Sequence, residues 1–273
     1  MTQELFLIGN KRSGSSLLAR LLSLHPGVRV THESDIAWIL YQARNGWPRR
    51  FRCYPWDGPL GMRATLRSCR SLLRSALAAG EETSAVFRRV QSALAGLPGL
   101  PELPEETPPV ETLAWLGDKK PVQHADPRVH AFLRARFPGA RYIHLVRHPR
   151  AVVASMIEAA GRWQVAPGWW KQEPRRILER WAVHERWALE AGARGGCSFL
   201  RFEDLCQDPA ETLGALFGFL GLDLPGEVAG RARAMVRPDP NRKYDSFPLP
   251  LHPEANRLRE HYGYGSHPTR IPS

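Results

Sequence analysis

Residues 5–16 read Leu-Phe-Leu-Ile-Gly-Asn-Lys-Arg-Ser-Gly-Ser-Ser, so an apolar run stands directly before a glycine-bounded, hydroxyl-rich loop. The four apolar residues predict a short buried strand, and leucines at helical spacing over 17–22 predict a helix after the loop. At a helix N-terminus, unpaired backbone N–H groups and the positive end of the helix dipole favour an anion. The strand, loop and helix therefore predict a phosphate-sized anion site.

The loop is not a complete nucleotide-triphosphate loop. Gly9 and Gly14 have the spacing of a Walker A motif, but Ser15 follows Gly14 where that motif requires lysine. The cations lie inside the loop instead, at Lys11 and Arg12. We predict that the anion is held by the loop and the first turn of the helix: Lys11, Arg12, Ser13, Gly14, Ser15 and Ser16.

A second apolar run, Tyr142–Val146, predicts another buried strand, and Arg147 follows at its end. Pro149 is suited to the first turn of a helix, which places Ser155 about two turns along it. Ligands of open parallel sheets bind outside the carboxyl ends of the strands, so we expect Arg12 and Arg147 to face one crevice. A guanidinium there is suited to forked hydrogen bonds with a phosphate.

Predicted strands alternate with predicted helices, which is typical of an α/β fold with a central parallel sheet flanked by helices. A chain of 273 residues is long enough to bury one large core, so we predict a single domain over 1–273 with a helical and loop insertion at about 35–115. Five prolines at 98–109 predict a stiff linker or surface loop. The strands are predicted at 5–8, 28–30, 142–146 and 198–202, and the helices at 17–24, 63–77, 85–97, 128–136, 151–160, 175–194 and 211–222.

The formal net charge of +11 comes from arginine, because lysine fills only five of the 38 basic positions. Arginine suits phosphate, sulfate and carboxylate ligands; it also suits nucleic acid, and a biased codon composition alone would give the same excess. The charge therefore supports an anion site without defining its ligand.

Four cysteines are scattered along the chain, with no C-x-x-C pair and no histidine at metal-ligand spacing. This pattern predicts reduced, buried thiols and no metal site.

No charged-then-apolar leader precedes the first strand, and the apolar runs are too short to span a bilayer. We expect a cytoplasmic protein without a membrane span.

Four segments carry a family resemblance. Residues 11–18 read Lys-Arg-Ser-Gly-Ser-Ser-Leu-Leu and precede Leu24-His25-Pro26, while 147–155 read Arg-His-Pro-Arg-Ala-Val-Val-Ala-Ser. Residues 117–121 read Gly-Asp-Lys-Lys-Pro, and 200–222 contain Leu-Arg-Phe-Glu-Asp-Leu, Asp-Pro and a Leu-rich end. In this order they resemble the 5′-phosphosulfate loop, the 3′-phosphate motif, the G-x-K-x-P motif and the R-Y-E-D-L segment of sulfotransferases that use 3′-phosphoadenosine 5′-phosphosulfate (PAPS).

The chain departs from the family pattern at three places. Ser15 and Ser16 replace the usual threonines and keep their hydroxyl groups, and Asn10-Lys11 replaces the common x-Pro. Phe202 stands where tyrosine is frequent and lacks its hydroxyl. None of these changes removes a charge.

The resemblance implies a P-loop-like sulfotransferase fold and in-line transfer of a sulfuryl group from PAPS, with 3′-phosphoadenosine 5′-phosphate (PAP) as product. It assigns the 3′-phosphate to Arg147 and Ser155. Negative charge builds on the bridging oxygen as its bond breaks, and Arg12 with the loop amides would stabilise it. Because the sulfuryl group carries one negative charge, we expect no divalent metal. The acceptor is expected to be a hydroxyl or amine of a small molecule, carbohydrate or peptide.

The acceptor hydroxyl needs a base. Glu33 lies just after the second predicted strand and resembles the glutamate of Golgi-type and bacterial members, so we predict Glu33 as the base. His32 is the alternative, since cytosolic phenol sulfotransferases use histidine, although much farther along their chains.

Lys119 is assigned to the sulfuryl group or the acceptor, with Lys120 as its alternative, and one of the two lysines is expected to be a plain surface residue.

Three regions are expected to surround the substrates. The segment 35–115 is predicted to cover the acceptor site, and the loop Trp163–Trp170 either lines an aromatic or sugar pocket or packs on itself. Arg242 and Lys243 are predicted either to close over the 3′-phosphate or to form a solvated charge pair.

Two other functions remain open from the residues alone. A P-loop kinase for a small molecule would need a Walker lysine that Ser15 does not supply. A nucleic-acid-binding module would need a basic stripe with interleaved aromatic residues, whereas the basic residues here are dispersed. A sulfotransferase homologue that only binds nucleotide is a further alternative, disfavoured by the presence of Arg12, Arg147, Ser155 and Glu33.

Overall fold

A computed structural model of the chain contains one sheet of five parallel strands, in the order β2-β3-β1-β4-β5. Because the strands are parallel, their carboxyl ends and the loops that follow them lie at one edge of the sheet. The strands are β1 Gln3–Gly9, β2 Val28–His32, β3 Trp115–Lys119, β4 Arg141–Val146 and β5 Cys197–Arg201. The structure describes residues 2–55, 60–95, 109–162 and 173–265.

Helices cover both faces of this sheet, and 3₁₀ turns occur at Val110–Thr112 and Arg242–Tyr244. The helices are α1 Ser15–Leu22, α2 Ile36–Ala43, α3 Leu60–Ala78, α4 Thr83–Ala95, α5 Pro121–Ala125, α6 Pro127–Arg136, α7 Pro149–Arg162, α8 Pro174–Gly192, α9 Phe202–Gln207, α10 Pro209–Phe219, α11 Gly226–Met235 and α12 Pro253–His261.

The central strand β1 is apolar on both faces, as expected for a strand covered on both sides. Phe6 and Ile8 pack into a core formed with α2 to α6, whereas Leu5 and Leu7 pack into a core with α1 and α9 to α11. Alternating side chains of one strand therefore hold the two helical layers against the sheet.

Local signals set several helix starts. Proline occupies the first turn of α5, α6, α8, α10 and α12, where its missing N–H costs nothing. The side chains of Asp126 and Asp208 accept backbone N–H groups at the starts of α6 and α10. Pro149 begins α7, as predicted, so Ser155 lies within that helix.

The predicted α/β fold is confirmed, and each predicted strand and helix has a counterpart in the structure. The sequence analysis missed β3, because its charged residues Asp118 and Lys119 are buried and do not resemble a buried strand. The prediction that Phe202 ends the last strand was wrong, since Phe202 begins α9. Helix α4 is described to Ala95, and most of the predicted linker lies outside the described residues.

The four cysteines are free, as predicted, but not all are buried: Cys69 and Cys206 are buried, and Cys53 is exposed. Among the described helices, none combines the length and the apolar character that a membrane crossing requires.

Candidate active site

The candidate site lies where the loop after β1 meets the loop after β4, at the carboxyl edge of the sheet. The strand register places Gly9 beside Leu145, so residues 10–14 and Arg147 leave the sheet next to each other. The expected convergence of Arg12 and Arg147 is confirmed: Arg147 Nη1 donates to the main-chain oxygen of Arg12 at 3.0 Å.

Two residues of the loop, Arg12 and Gly14, have left-handed backbone angles. Gly14 has a φ of 94° at the N-cap of α1, and it has no side chain with which to cap the helix. Arg12 has a φ of 62°, which is uncommon for a residue other than glycine. The hydroxyl of Ser13 donates to the main-chain oxygen of Asn10 at 2.9 Å and closes the loop. This arrangement leaves the N-terminal amides of α1 for an anion.

Gly14 is also required by its neighbour. A Cβ atom at this position would overlap the ring of Phe202, the first residue of α9. The same ring lies 4.6 Å from the guanidinium carbon of Arg147, in a cation–π contact. Phe202, where the family often has tyrosine, therefore packs between the two arginine-bearing loops through its ring and not through a hydroxyl.

The predicted 3′-phosphate residues, Arg147 and Ser155, each form a hydrogen bond with Arg12. Arg12 Nε donates to Ser155 Oγ at 3.1 Å, and Arg147 Nε donates to Asn241 Oδ1 at 2.9 Å. The backbone N–H of His148 donates to Glu203 Oε1 at 3.0 Å, and Asn241 Nδ2 donates to the same oxygen. Burial lowers the pKa of Arg147, and Glu203 opposes that shift. Arginine remains protonated at neutral pH, and the hydrogen bonds to Asn241 and to the Arg12 main chain fix the orientation of this cation.

Glu33 lies at the end of β2, in the left-handed region at a φ of 55°. Lys119 Nζ lies 2.5 Å from Glu33 Oε1, and Lys120 Nζ lies 2.6 Å from Glu33 Oε2. Burial raises the pKa of Glu33, but the ammonium groups of Lys120 and Lys119 outweigh it and hold that pKa far below its ordinary range. Glu33 is therefore ionised, with a side chain that is 40% exposed.

The expectation of a surface lysine in this pair was wrong, because the side chains of Lys119 and Lys120 are 4% and 7% exposed. Lys120 also pairs with buried Asp35 at 3.1 Å, whereas Lys119 pairs with Glu33. Two lysines can be buried here because each faces a carboxylate. The alternative base, His32, lies 2.8 Å from Ser16 Oγ at the start of α1.

Asp118 in β3 is a residue of this site that the sequence analysis did not assign. Its side chain is fully buried and accepts hydrogen bonds from Thr31, Ser34 and His124 at 2.8–3.2 Å. Burial raises the pKa of Asp118, but the contact with His124 and the two hydroxyl donors lower it overall. Asp118 thus ties β3 to the end of β2, where Lys119 and Glu33 meet.

The C-terminal basic pair, Arg242 and Lys243, is exposed to solvent, as one of the two expectations had it. Lys243 Nζ pairs with Glu158 of α7 at 3.0 Å, and the Tyr244 hydroxyl donates to the same carboxylate at 2.6 Å. The residue of this segment that contacts Arg147 is Asn241, for which the sequence carried no signal. The loop Trp163–Trp170 lies outside the described residues.

Within the described ranges, the structure contains no group of three or more His, Cys, Asp or Glu side chains placed to hold a metal ion. The cations at the sheet edge are Arg12, Arg147, Lys119 and Lys120, and each has a specific partner.

Comparison with protein families identifies the family to which the chain belongs. A sequence profile described as "Sulfotransferase family" matches residues 4–226, which include the anion loop, Glu33, Lys119 and Arg147. The chain belongs to the sulfotransferase family. No curated protein sequence matched the chain significantly.

Solved structures share the fold of this sulfotransferase. A sulfotransferase domain from the Synechococcus PCC 7002 olefin synthase has a TM-score of 0.64 at 21% identity, covering 97% of this chain and 96% of that one. A sulfotransferase domain from the curacin biosynthetic pathway has a TM-score of 0.60 at 21% identity, covering 97% and 99%. A sulfotransferase from Alicyclobacillus acidocaldarius has a TM-score of 0.50 at 16% identity, covering 97% and 92%. The predicted family and fold are confirmed.

Proposed function

We propose that this sulfotransferase transfers the sulfuryl group of PAPS to an acceptor hydroxyl or amine and releases PAP. The observation that carries the proposal is that the loop of Arg12 is joined to both predicted 3′-phosphate residues: Arg12 accepts a hydrogen bond from Arg147 and donates one to Ser155. A nucleotide with phosphates at both its 5′ and 3′ positions supplies one anion to the loop and one to these residues. Neither kinase nor nucleic-acid binding accounts for this pairing, and family membership does not favour them.

The loop holds the 5′ end of the donor in this proposal. The backbone amides of Ser13–Ser16, with Arg12, lie at the positive end of α1 and contact the 5′-phosphate and the bridging oxygen. Lys11 adds charge to the same loop. During transfer the bond between sulfur and the bridging oxygen breaks, its electron pair stays on the 5′-phosphate of PAP, and a new bond forms from sulfur to the acceptor oxygen.

Glu33 takes the proton that the acceptor loses. Its low pKa keeps it ionised, but its two ion pairs make it a weak base in the free enzyme. A phosphosulfate beside Lys119 competes for that ammonium group, which weakens the pair with Glu33 and raises the pKa of the carboxylate. Lys119 then stabilises the transferring group, while Lys120 stays with Asp35. Substrate binding would thereby activate the base.

The acceptor lies under the segment 35–115, which we propose is part of a single domain with the sheet. Helix α3 packs directly on the base: Thr65 Oγ1 donates to the Ser34 main-chain oxygen at 2.5 Å, and a Cβ atom on Gly61 would overlap the Glu33 carbonyl. The acceptor is a small molecule, carbohydrate or peptide.

The free cysteines support a reducing compartment, and we place the enzyme in the cytoplasm.

Transfer of radiolabelled sulfate from PAPS to a panel of acceptors tests this function. The expected result is labelled product that forms in the presence of EDTA and is inhibited by PAP. ATP-dependent, Mg²⁺-dependent transfer of phosphate without any response to PAP would contradict it. Added DNA should leave PAP binding unchanged, and competition by DNA would instead support the nucleic-acid alternative.

A further inference from the structure

Two tyrosines at the end of α12 each donate a hydrogen bond to a carboxylate behind the site. The Tyr262 hydroxyl donates to Glu185 Oε2 at 2.9 Å, and the Tyr264 hydroxyl donates to Glu203 Oε2 at 2.6 Å. Both tyrosines are buried, at 5% and 9% exposed. Burial and the adjoining carboxylates raise both tyrosine pKa values, so both groups remain proton donors.

The two carboxylates serve opposite ends of the nucleotide site. Glu185 Oε1 accepts a hydrogen bond from Asn10 Nδ2 at 2.8 Å, and Asn10 accepts the Ser13 hydroxyl that closes the anion loop. His144 of β4 lies 2.8 Å from Glu185 Oε2. The carboxylate is fully buried, so these contacts fix the position from which the loop begins.

Glu203 lies at the end of the nucleotide site that contains Arg147. It accepts the backbone N–H of His148 and the side-chain amide of Asn241, whose oxygen accepts Arg147 Nε. A displacement of Glu203 would therefore move the group that orients the Arg147 guanidinium.

A helix cap sets the distance between the two tyrosines. Gly263 has a φ of 74° and donates its N–H to the Glu260 oxygen, and the N–H of Tyr264 donates to the Arg259 oxygen. This is the Schellman pattern of a helix that ends in a left-handed glycine. The ring planes of Tyr262 and Tyr264 stand 69° apart, so the hydroxyl groups reach different carboxylates.

We propose that Tyr262 and Tyr264 are positioning residues that hold the 5′ loop and the 3′-phosphate residues of the nucleotide site in register. Tyr262 acts through Glu185 and Asn10 on the 5′ end, and Tyr264 acts through Glu203 and Asn241 on the 3′ end. This inference rests on the proposed use of PAPS and PAP. It assigns separate tasks to two residues two positions apart in the chain.

The test compares PAP with AMP, which has the 5′-phosphate but lacks the 3′-phosphate, by calorimetric titration of the whole protein. Loss of a buried hydrogen bond to a charged group in Tyr264→Phe should weaken PAP binding about tenfold and leave AMP binding unchanged. Tyr262→Phe should weaken PAP and AMP binding by the same factor, so that the ratio of the two affinities stays at the wild-type value. Phenylalanine keeps the ring packing in both variants.

Tyr54→Phe is the matched control, because the Tyr54 hydroxyl is also buried and contacts Asp126 at 3.2 Å, outside the nucleotide site. It should leave both affinities unchanged. If Tyr262→Phe does not fold, Asn10→Ala breaks the same connection at the loop and should show the same equal losses.

Two results would overturn the inference: wild-type affinities in both tyrosine variants, or equal losses of PAP and AMP binding in Tyr264→Phe. Either result leaves the proposed function standing as long as the wild-type protein binds PAP. Failure of the wild-type protein to bind PAP would overturn the proposed function itself.

Discussion

Arg147 Nη1 donates to the main-chain oxygen of Arg12 at 3.0 Å, so the end of β4 holds the loop that follows β1. The accepting residue, Arg12, has a left-handed backbone, and its guanidinium donates to Ser155 on α7. The hydrogen bond from Arg147 stabilises this uncommon conformation. Residues far apart in the chain therefore form one preorganised anion site.

Gly14→Ala should abolish PAP binding. The new methyl group would overlap the Phe202 ring, and the φ of 94° is strained for any residue with a Cβ atom. Calorimetry should show at least a tenfold loss of PAP affinity, and thermal unfolding should show a lower Tm. The matched control is Gly139→Ala, where a Cβ atom meets open space. Equal PAP affinity in the two variants would disprove the role assigned to the Gly14 contact.

Glu33→Gln should abolish turnover and leave PAP binding nearly intact, because the amide cannot accept the acceptor proton but fills the same space. Sulfate transfer and PAP titration measure the two effects separately. Glu254→Gln provides a control, since it removes a carboxylate that pairs with Arg186 far along the chain from the site. Full activity in Glu33→Gln would remove Glu33 as the base and direct attention to His32.

The Glu33 ion pairs also predict a pH dependence of stability. The pKa of Glu33 is far below the value of about 4.3 for an unfolded chain, so its stabilising effect is complete above that pH. The effect is lost as the pH falls below about 4.3 towards the folded-state pKa. The difference in free energy of unfolding between wild type and Glu33→Gln should therefore be constant from neutral pH to pH 6 and decrease in acid. A difference that grew in acid would contradict the assignment.

Lys119→Met and Lys120→Met should fail in different ways. Loss of Lys119 should lower kcat strongly with little change in folding, because Glu33 keeps its contact with Lys120. Loss of Lys120 leaves Asp35, a buried carboxylate, without its cation and should destabilise the fold by about 3 kcal/mol. Denaturant unfolding and steady-state kinetics on both variants test this division, and identical profiles would refute it.

The parts of the site that the sequence predicted are those determined by local pattern. The apolar runs before Gly9 and Arg147, with the helix signals after them, were enough to predict that the two loops meet. The buried ion pairs were not predictable: one of Lys119 and Lys120 was expected at the surface, and both are buried because Glu33 and Asp35 lie beside them. Contacts between segments that are distant in the chain were not predictable either.

Asn241 and Glu203 are an example of such a contact between distant segments. They are 38 residues apart and orient Arg147 together. Their side chains have no periodicity or spacing that marks them, and only the packing of the C-terminal segment against α9 brings them together. Strand β3 was missed for a related physical reason, since its burial depends on pairing Asp118 with hydrogen-bond donors from other elements.

The central claim is that the joined Arg12 and Arg147 sites bind a nucleotide with 5′ and 3′ phosphates, and calorimetric titration with PAP in EDTA tests it most directly. We predict binding in the micromolar range by the wild-type protein, a loss of at least tenfold in Arg147→Gln, and no loss in the control Arg231→Gln on α11. Binding of ATP with Mg²⁺ but not of PAP, or equal PAP affinity in wild type and Arg147→Gln, would contradict the claim.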